Sequence, residues 1–353
     1  MIANLQRRIE KSIADFTERI YREYQFHLIP PGLYENIREY SLRRGKRIRP
    51  ILVLLSYQGY NPANRVPSSL YQAATCMEYL HNFMLIHDDI IDNSDLRRGK
   101  PTMHKGLSRI IASDNPDELG KSLAIIAGDI IYALAIDAFL SINVDSRRKE
   151  KALKYFVQTA AFTAMGEFVD TIHGVAAVDQ IREKDVFLNY DLKTARYTFD
   201  CPLVIGAILA GAPAVEIKKL SHIGLLIGEA FQIQDDVIGI FDTEENIGKP
   251  ILSDLAESKK TLLVAHAQAH MTASARKQFN AIFTKPAKTA ADLDAIRALF
   301  KAAGSLDYCL RLTEDRLVQA KKEILTLRMR PAVKKIILET VGKIFKKSAA
   351  SAF

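Results

Sequence analysis

Residues 73–92, AATCMEYLHNFMLIHDDIID, indicate the fold class of this chain. The run up to Ile91 contains no Gly or Pro and repeats apolar residues at spacings of three and four, which predicts a helix. At about 100° per residue, Asp88 and Asp92 lie one turn apart on one face of that helix, with Asp89 beside them. Carboxylates this close repel one another and are costly to desolvate alone. The sequence therefore predicts a cation at the end of this helix.

The neighbouring residues indicate which cation. Carboxylates without a nearby Cys and with few His favour Mg²⁺ over Zn²⁺, and Mg²⁺ usually binds together with substrate phosphates. Arg97 and Arg98 follow in a predicted loop beside Gly99. Two guanidinium groups next to an acidic cluster suit a diphosphate that a metal ion bridges.

A second acidic cluster repeats this pattern later in the chain. Gln232, Asp235, Asp236 and Gly239 share one face of a predicted helix over 223–241, and Gly239 stands where the first cluster has its last Asp. The lysines that follow in a predicted loop are Lys249, Lys259 and Lys260. Either cluster alone is also typical of a solvated helix end. Together, each followed by basic residues, they predict two facing walls of one metal and phosphate site.

The order of short motifs along the chain resembles that of the trans-isoprenyl diphosphate synthases of the polyprenyl synthetase family. Those enzymes join isopentenyl diphosphate head-to-tail to an allylic diphosphate. The matching motifs are GKRIRP at 45–50, EYLHNFMLIHDDIID at 78–92, DLRRGKPTMH at 95–104, AGD at 127–129, KTA at 193–195, FQIQDD at 231–236, IGKP at 247–250 and KKTL at 259–262. Their order and density make the resemblance specific.

The resemblance implies a role for each matching residue. The catalytic set would be Asp88, Asp89, Asp92, Asp235, Asp236 and Lys193. Of these, Asp88, Asp92 and Asp235 would bind three Mg²⁺ ions that bridge the allylic diphosphate, with Asp89 and Asp236 in support. The residues that would contact this diphosphate are Arg97, Lys193, Thr194, Gln232, Lys249 and Lys259. Those that would hold the diphosphate of isopentenyl diphosphate are Lys46, Arg49, His81 and Arg98.

One of these assignments also has support from helical geometry. Taken alone, His81 is more typical of a structural histidine, but it lies seven residues before Asp88 and therefore on the same helix face. Two positions depart from the family pattern. Gly239 replaces an acid, as it does in active short-chain members, and Ser258 stands where a Gly commonly precedes the Lys.

The resemblance also implies a fold and a mechanism. The fold would be the all-α isoprenoid synthase fold, a single large helical bundle around a central cavity, and the protein would be a homodimer. Mg²⁺ and basic side chains would stabilise the departing diphosphate, and the allylic cation would react with the double bond of isopentenyl diphosphate held beside it. Apolar helices around the site would exclude water, which otherwise traps the cation.

Product length depends on the residues just before the first Asp. In the family, the residues four and five positions before it limit chain growth, and here these are Met84 and Phe83. An aromatic residue at the fifth position, without an insertion between Asp89 and Asp92, resembles archaeal geranylgeranyl diphosphate synthases, so a C20 product is expected. Met84 lies nearer the Asp88 face of an ideal helix and would instead limit the product to C15 farnesyl diphosphate. A third interpretation makes Phe83 an ordinary core residue.

Composition agrees with one all-α domain. The chain has 353 residues, 48% of them hydrophobic, and few strand-like alternations. We predict a single domain over 1–353, with a motif-bearing core at about 40–270 and a helical C-terminal part at 271–353. No run of eighteen apolar residues predicts a membrane span, and the charged N-terminal segment is unlike a signal peptide. The three cysteines are too far apart in sequence for a disulfide framework or a metal motif, which fits a cytoplasmic location.

The C-terminal segment contains most of the net charge. Residues 321–353 have nine Lys and Arg and two Glu, a balance of +7 in a chain of +8. The apolar residues over 333–345 have helical spacing beside lysines, which fits either weak peripheral contact with an anionic membrane or a final helix packed on the core. We favour the packed helix, because such amphipathicity is common at protein surfaces. Nucleic acid is not an expected partner, since no binding motif accompanies the charge.

Three other functions fit the residues less well. A metal phosphohydrolase based on His87 and Asp88 would leave Arg97, Arg98 and the lysines near the second cluster unexplained. A class I terpene cyclase shares the first acidic motif, but it usually has a different second motif and needs no second diphosphate site. A non-catalytic subunit of a heteromeric synthase typically lacks one acidic motif, and both are present here.

Overall fold

The structure is a computed structural model that describes residues 2–63, 65–110, 112–242 and 252–345. Its first elements are α1 (Ile2–Glu23), α2 (Leu33–Leu42), α3 (Ile48–Tyr60), α4 (Ser68–Ala74), α5 (Cys76–Ile91), β1 (Leu96–Arg97), β2 (Lys100–Pro101), α6 (Met103–Leu107), α7 (Pro116–Leu140) and α8 (Ser146–Val175). They are followed by α9 (Glu183–Asn189), a π-helix (Tyr190–Asp200), α10 (Cys201–Ala210), α11 (Ala214–Phe241), α12 (Ser253–Ala256), α13 (Leu262–His270), α14 (Ala273–Phe283), α15 (Ala290–Ala302), α16 (Ser305–Thr326) and α17 (Pro331–Phe345). The all-α prediction is confirmed.

The chain divides into two compact units, and each is built from separate segments of sequence. Unit 1 comprises Met1–Ala160, Cys201–Ile217 and Arg328–Val333, and unit 2 comprises Ala161–Asp200, Lys218–Leu327 and Lys334–Phe353. The first acidic cluster therefore belongs to unit 1 and the second to unit 2. The division does not test the single-domain prediction, which stays a prediction.

Helix α5 is buried along most of its length in unit 1. The predicted helix over 73–91 is wrong at its start, because α4 ends at Ala74 and α5 begins at Cys76. Between them, the Thr75 hydroxyl donates a hydrogen bond to the Tyr71 carbonyl at 3.2 Å. Such bonds from Ser or Thr to the residue four positions back bend helices. The first acidic cluster thus ends a separate helix of 16 residues.

Helix α7 packs along α5 in unit 1. A Cβ on Gly128 of α7 would overlap the His87 ring, so the glycine permits the close approach. Within the described ranges α7 is also the one helix long and apolar enough to cross a membrane, and part of it is buried inside the protein. The sequence prediction did not anticipate this. The core helices of soluble proteins have the same properties.

The core of unit 2 forms between α11 and the helices from α13 to α16, where Phe279 and Phe300 are fully buried. The predicted helix over 223–241 is confirmed, although α11 already begins at Ala214. The π-helix packs against α11 at Gly224 and Gly228, where an added Cβ would overlap the backbone of the π-helix. This contact places the π-helix residues of the KTA motif beside the second acidic cluster.

The last helix, α17, contains most of the described apolar residues of the C-terminal segment, residues 321–353. Val333, Ile337 and Ile344 are buried, as expected for a helix packed on the core. Residues 346–353 lie outside the described residues.

Candidate active site

The first acidic cluster contacts an arginine from the following hairpin. Arg97 Nε donates to Asp89 Oδ1 at 2.6 Å, and Arg97 Nη2 donates to Asp88 Oδ2 at 3.0 Å. The Tyr40 hydroxyl donates to the other oxygen of Asp89 at 3.3 Å. Asp89 is fully buried, whereas Asp92 ends the helix and is exposed.

Burial and charge divide the roles within this cluster. Burial raises the pKa of Asp89, and the hydrogen bond and charge of Arg97 oppose that rise. Conversely, burial lowers the pKa of Arg97, but Asp89 and Asp88 raise it further and the net shift is upward. Asp89 is therefore the inner carboxylate that fixes Arg97, and the partly exposed Asp88 and exposed Asp92 are the outer ones. The supporting role of Asp89 at a metal site stays a prediction.

A tight β-hairpin presents Arg97 and Arg98, where the sequence predicted a loop. Strands β1 and β2 pair Leu96 with Pro101 and Arg97 with Lys100, which leaves Arg98 and Gly99 as a two-residue turn. Both turn residues have positive φ, at 57° and 73°. Two positive φ values are typical of a type I′ turn, in which a non-glycine residue is strained unless its surroundings fix it. Arg98 Nη1 donates to the Arg44 carbonyl at 3.2 Å, which connects the turn to the GKRIRP segment.

The residues predicted to bind isopentenyl diphosphate form a basic cluster in unit 1. His81 is buried, and its pKa is held well below the ordinary value by burial and by the guanidinium groups around it, Arg49 and Arg98 first. Burial also lowers the pKa of Arg98; Glu78 opposes this, while Arg47 and Arg49 add to it. Lys46 is exposed, and its place at the second diphosphate stays a prediction. Mutual repulsion of this kind is relieved when an anion binds.

Arg47 is a structural member of the same segment. Its Nη1 lies 2.6 Å from Glu78 Oε2, and both side chains are buried. Its Nη2 also donates to the Arg43 carbonyl at 2.6 Å. Arg47 is thus paired inside the protein, and it orders the backbone that presents Lys46 and Arg49.

The two predicted chain-length residues lie half-buried on α5. The Phe83 ring packs against two other rings, with its centroid 4.8 Å from that of His87 and 5.0 Å from that of Tyr132 on α7. Sequence reasoning missed Tyr132, because contact between two helices far apart in sequence leaves no local signal. The role of Met84 stays a prediction.

The second acidic cluster presents one carboxylate outward and one inward. Asp235 is exposed, whereas Asp236 is buried. Gln232 Nε2 donates to Asp236 Oδ1 at 2.9 Å, and the Thr194 hydroxyl donates to Gln232 Oε1 at 2.8 Å. The Tyr190 hydroxyl donates to Asp236 Oδ2. The structure therefore brings together Thr194, Gln232 and Asp236, as predicted, and adds Tyr190.

Lys193 contacts two carboxylates that the sequence reasoning missed. Its Nζ lies 2.6 Å from Asp170 Oδ2 and 2.8 Å from Glu167 Oε2, both on α8. The only signal in the sequence was an acidic pair three residues apart in a helix, which is a common surface pattern. These contacts hold the Lys193 ammonium group next to the π-helix start.

The departure from the family pattern at Ser258 has a conformational explanation. Ser258 has a φ of 52°, in the left-handed region where glycine is favoured. Its hydroxyl donates to the Phe283 carbonyl at 3.0 Å and accepts from Lys288 Nζ at 2.8 Å, which helps hold this conformation. The next residue, Lys259, pairs with Glu257 at 2.8 Å. Lys249 lies outside the described residues.

The acidic residues suit Mg²⁺ chemically, but the described part of the chain does not hold a preformed metal cage. Among the described residues, no three His, Cys, Asp or Glu side chains group closely enough to hold an ion. Mg²⁺ typically takes one or two carboxylates together with substrate phosphates and water, so outward carboxylates next to basic side chains fit it. The ligand set of Asp88, Asp92 and Asp235 stays a prediction.

The family assignment rests on the match of most of the chain. The polyprenyl synthetase family model matches residues 31–300. The chain belongs to the polyprenyl synthetase family. It is 33% identical to the geranylgeranyl diphosphate synthase of Saccharolobus solfataricus over 279 residues, covering 78% of this chain and 75% of that one. It is 31% identical to a short chain isoprenyl diphosphate synthase of Methanothermobacter thermautotrophicus over 318 residues, covering 90% and 87%.

Solved structures support the same assignment. The geranylgeranyl pyrophosphate synthetase of Pyrococcus horikoshii superposes with a TM-score of 0.79 at 29% identity, covering 96% of this chain and 99% of that one. A Corynebacterium glutamicum geranylgeranyl pyrophosphate synthase, complexed with isoprenyl diphosphate and magnesium, shares the fold with a TM-score of 0.88 at 24% identity, covering 99% and 100%. The predictions of an isoprenoid synthase fold and of a prenyltransferase are confirmed.

Proposed function

We propose that this polyprenyl synthetase condenses isopentenyl diphosphate with allylic diphosphates, in the presence of Mg²⁺, to the C20 product geranylgeranyl diphosphate. The observation that supports this proposal most directly is that a basic cluster and a carboxylate cluster are neighbours in unit 1. A basic cluster around buried His81 lies next to a carboxylate cluster that Arg97 joins to it. Acidic and basic groups side by side suit a metal-bound diphosphate and a second, metal-free one.

Each group would act on the reaction through charge and position. Bound Mg²⁺ supplies stabilisation of the negative charge on the departing diphosphate. Asp88, Asp92 and Asp235 would hold the ions, and Arg97, Lys193 and Lys259 would bind the diphosphate oxygens. Lys46, Arg49 and Arg98 would hold the diphosphate group of isopentenyl diphosphate. The double bond of that substrate would then lie close to the allylic carbon. The neutral imidazole of His81 would accept or donate a hydrogen bond there without adding charge.

The proposed product length rests on the relatives and on Phe83. Geranylgeranyl diphosphate is named as the product of the Saccharolobus relative, and the Phe83 ring is held by contacts with two aromatic rings. A side chain held in this way resists displacement by the growing product better than a flexible one. One relative, from Aeropyrum pernix, is a geranylfarnesyl diphosphate synthase and is 32% identical over 270 residues, so C25 is the second candidate.

One incubation tests the proposal. Purified protein receives Mg²⁺, labelled isopentenyl diphosphate and each of dimethylallyl, geranyl and farnesyl diphosphates, and the products are separated by length. A C20 product is expected from all three primers. A C15 product would favour Met84 as the limit, and a C25 product would place the limit beyond Phe83. No product from any primer would contradict the proposal and favour a subunit that needs a partner.

We also propose a homodimer located in the cytoplasm. Along one face of α8, Met165, Phe168, Ile172 and Val175 are exposed to between 51% and 85%. An apolar stripe of this kind on a soluble protein commonly marks an interface. Sedimentation of the wild type and of Phe168→Glu tests the dimer, which the charged side chain should dissociate.

For α17 we propose that it packs on the core rather than contacting a membrane.

A further inference from the structure

Tyr190, the first residue of the π-helix, is buried in unit 2 and forms hydrogen bonds on two sides. Its hydroxyl donates to Asp236 Oδ2 and accepts from the backbone N–H of Leu262 at 2.9 Å. Burial, followed by the charge of Asp236, raises the pKa of Tyr190 well above its ordinary value. The hydroxyl therefore stays protonated and remains a donor to the carboxylate.

This hydroxyl completes the fixation of Asp236. The other carboxylate oxygen accepts from Gln232, and Gln232 in turn accepts from Thr194. A carboxylate bonded at both oxygens is held in one orientation, and this restrains the turn of α11 that also contains the preceding position. That position is Asp235, which points outward.

The same hydroxyl fixes a second segment. Leu262 begins α13 directly after Lys259, Lys260 and Thr261, which together form the lysine segment. Asp236, Lys259 and Thr261 also line one small cavity of about 10 Å³. Through a single oxygen atom, Tyr190 thus links the π-helix, the second acidic cluster and the lysine segment.

We propose that Tyr190 is a positioning residue that sets Asp236, and through it Asp235, relative to the lysine segment for binding of an Mg²⁺–diphosphate complex. The inference rests on the proposed function and deepens it. Tyr190 touches neither metal nor substrate in this role. Its loss should weaken Mg²⁺-dependent diphosphate binding more than it changes the fold.

The probe is inorganic pyrophosphate with Mg²⁺, and binding is measured by titration calorimetry. Tyr190→Phe removes only the hydroxyl, and we expect about tenfold weaker binding, equivalent to about 1.4 kcal/mol. The matched control is Tyr308→Phe, which removes another tyrosine–carboxylate hydrogen bond of unit 2, to Glu183. The control should bind pyrophosphate like the wild type. Unchanged binding by Tyr190→Phe, or equal weakening in both variants, overturns the inference.

A double-mutant cycle separates positioning from general destabilisation. If Tyr190 acts through Asp236, adding Tyr190→Phe to Asp236→Asn weakens binding by much less than tenfold. A further tenfold loss in the double variant would overturn the inference, even if Tyr190→Phe also lowers the unfolding midpoint. Failure of the proposed function is distinguishable, because the wild type would then make no prenyl product from any primer.

Discussion

The buried ion pair between Arg47 and Glu78 predicts a large loss of stability when one partner is removed. The pair is 2.6 Å apart, and the two side chains are 4% and 5% exposed. Glu78→Leu would leave a guanidinium group buried without a counter-charge, and breaking a buried pair in this way costs about 3–5 kcal/mol. Because Arg47 keeps its hydrogen bond to the Arg43 carbonyl, we expect the low end of this range, about 3 kcal/mol.

Urea denaturation followed by circular dichroism measures this change. The double variant Arg47→Met/Glu78→Leu removes both charges and should regain most of the lost free energy of unfolding. The exposed pair Arg38–Glu18, at 2.9 Å, is the matched control, and Glu18→Gln should leave the denaturation midpoint unchanged. The reasoning is refuted if Glu78→Leu costs less than about 1 kcal/mol, the range of exposed pairs, or if the double variant is no more stable than Glu78→Leu.

Three further predictions concern the site. Asp88→Ala and Asp235→Ala should each lower kcat by about 10³-fold in a steady-state assay with Mg²⁺, because charge stabilisation in the transition state is lost; near-normal rates would exclude them as metal ligands. Phe83→Ala should lengthen the product beyond C20, as measured by chromatography, since it removes the ring that contacts both His87 and Tyr132; an unchanged product would remove Phe83 as the limit. Burial and the neighbouring arginines hold the pKa of His81 in the folded protein below 6.5, its value in the unfolded chain. As pH falls, His81 therefore binds a proton in the unfolded state before it does so in the folded state. The free energy of unfolding should therefore be fully retained above pH 6.5 and fall below it, relative to His81→Gln, when urea denaturation is repeated at each pH; a difference that does not vary with pH would contradict this.

The sequence was sufficient for the features that depend on local periodicity. Helical spacing predicted that Asp88, Asp89 and Asp92 lie together and that Gln232 and Asp236 share a face, because residues four apart in a helix are neighbours. In the structure Gln232 donates a hydrogen bond to Asp236. The interruption between α4 and α5 at Thr75 was missed, because it coincides with a side-chain hydrogen bond and not with a Gly or Pro.

Contacts between distant segments could not be predicted from one sequence. Tyr190 reaches Asp236 and Leu262 only because the π-helix packs at the glycines of α11. The turn at Arg98 and Gly99 follows from pairing between β1 and β2, and a pair of strands this short has no alternating pattern to detect. The left-handed backbone at Ser258 was visible only as a departure from the family pattern.

With the proposed ligands, the ion pairs within each unit would make metal and diphosphate binding depend on each other. In unit 1, an ion that binds Asp88 competes with Arg97 for that carboxylate, and a diphosphate that binds Arg97 competes with Asp88. Either ligand alone would therefore break a salt bridge and leave one charged group without its partner, whereas the two together supply a new partner to each. In unit 2, a diphosphate that binds Lys193 likewise competes with Glu167 and Asp170. If Asp88, Arg97 and Lys193 bind their ligands as proposed, the metal–diphosphate complex would bind in preference to either component, and stabilisation of the leaving group would depend on the allylic substrate.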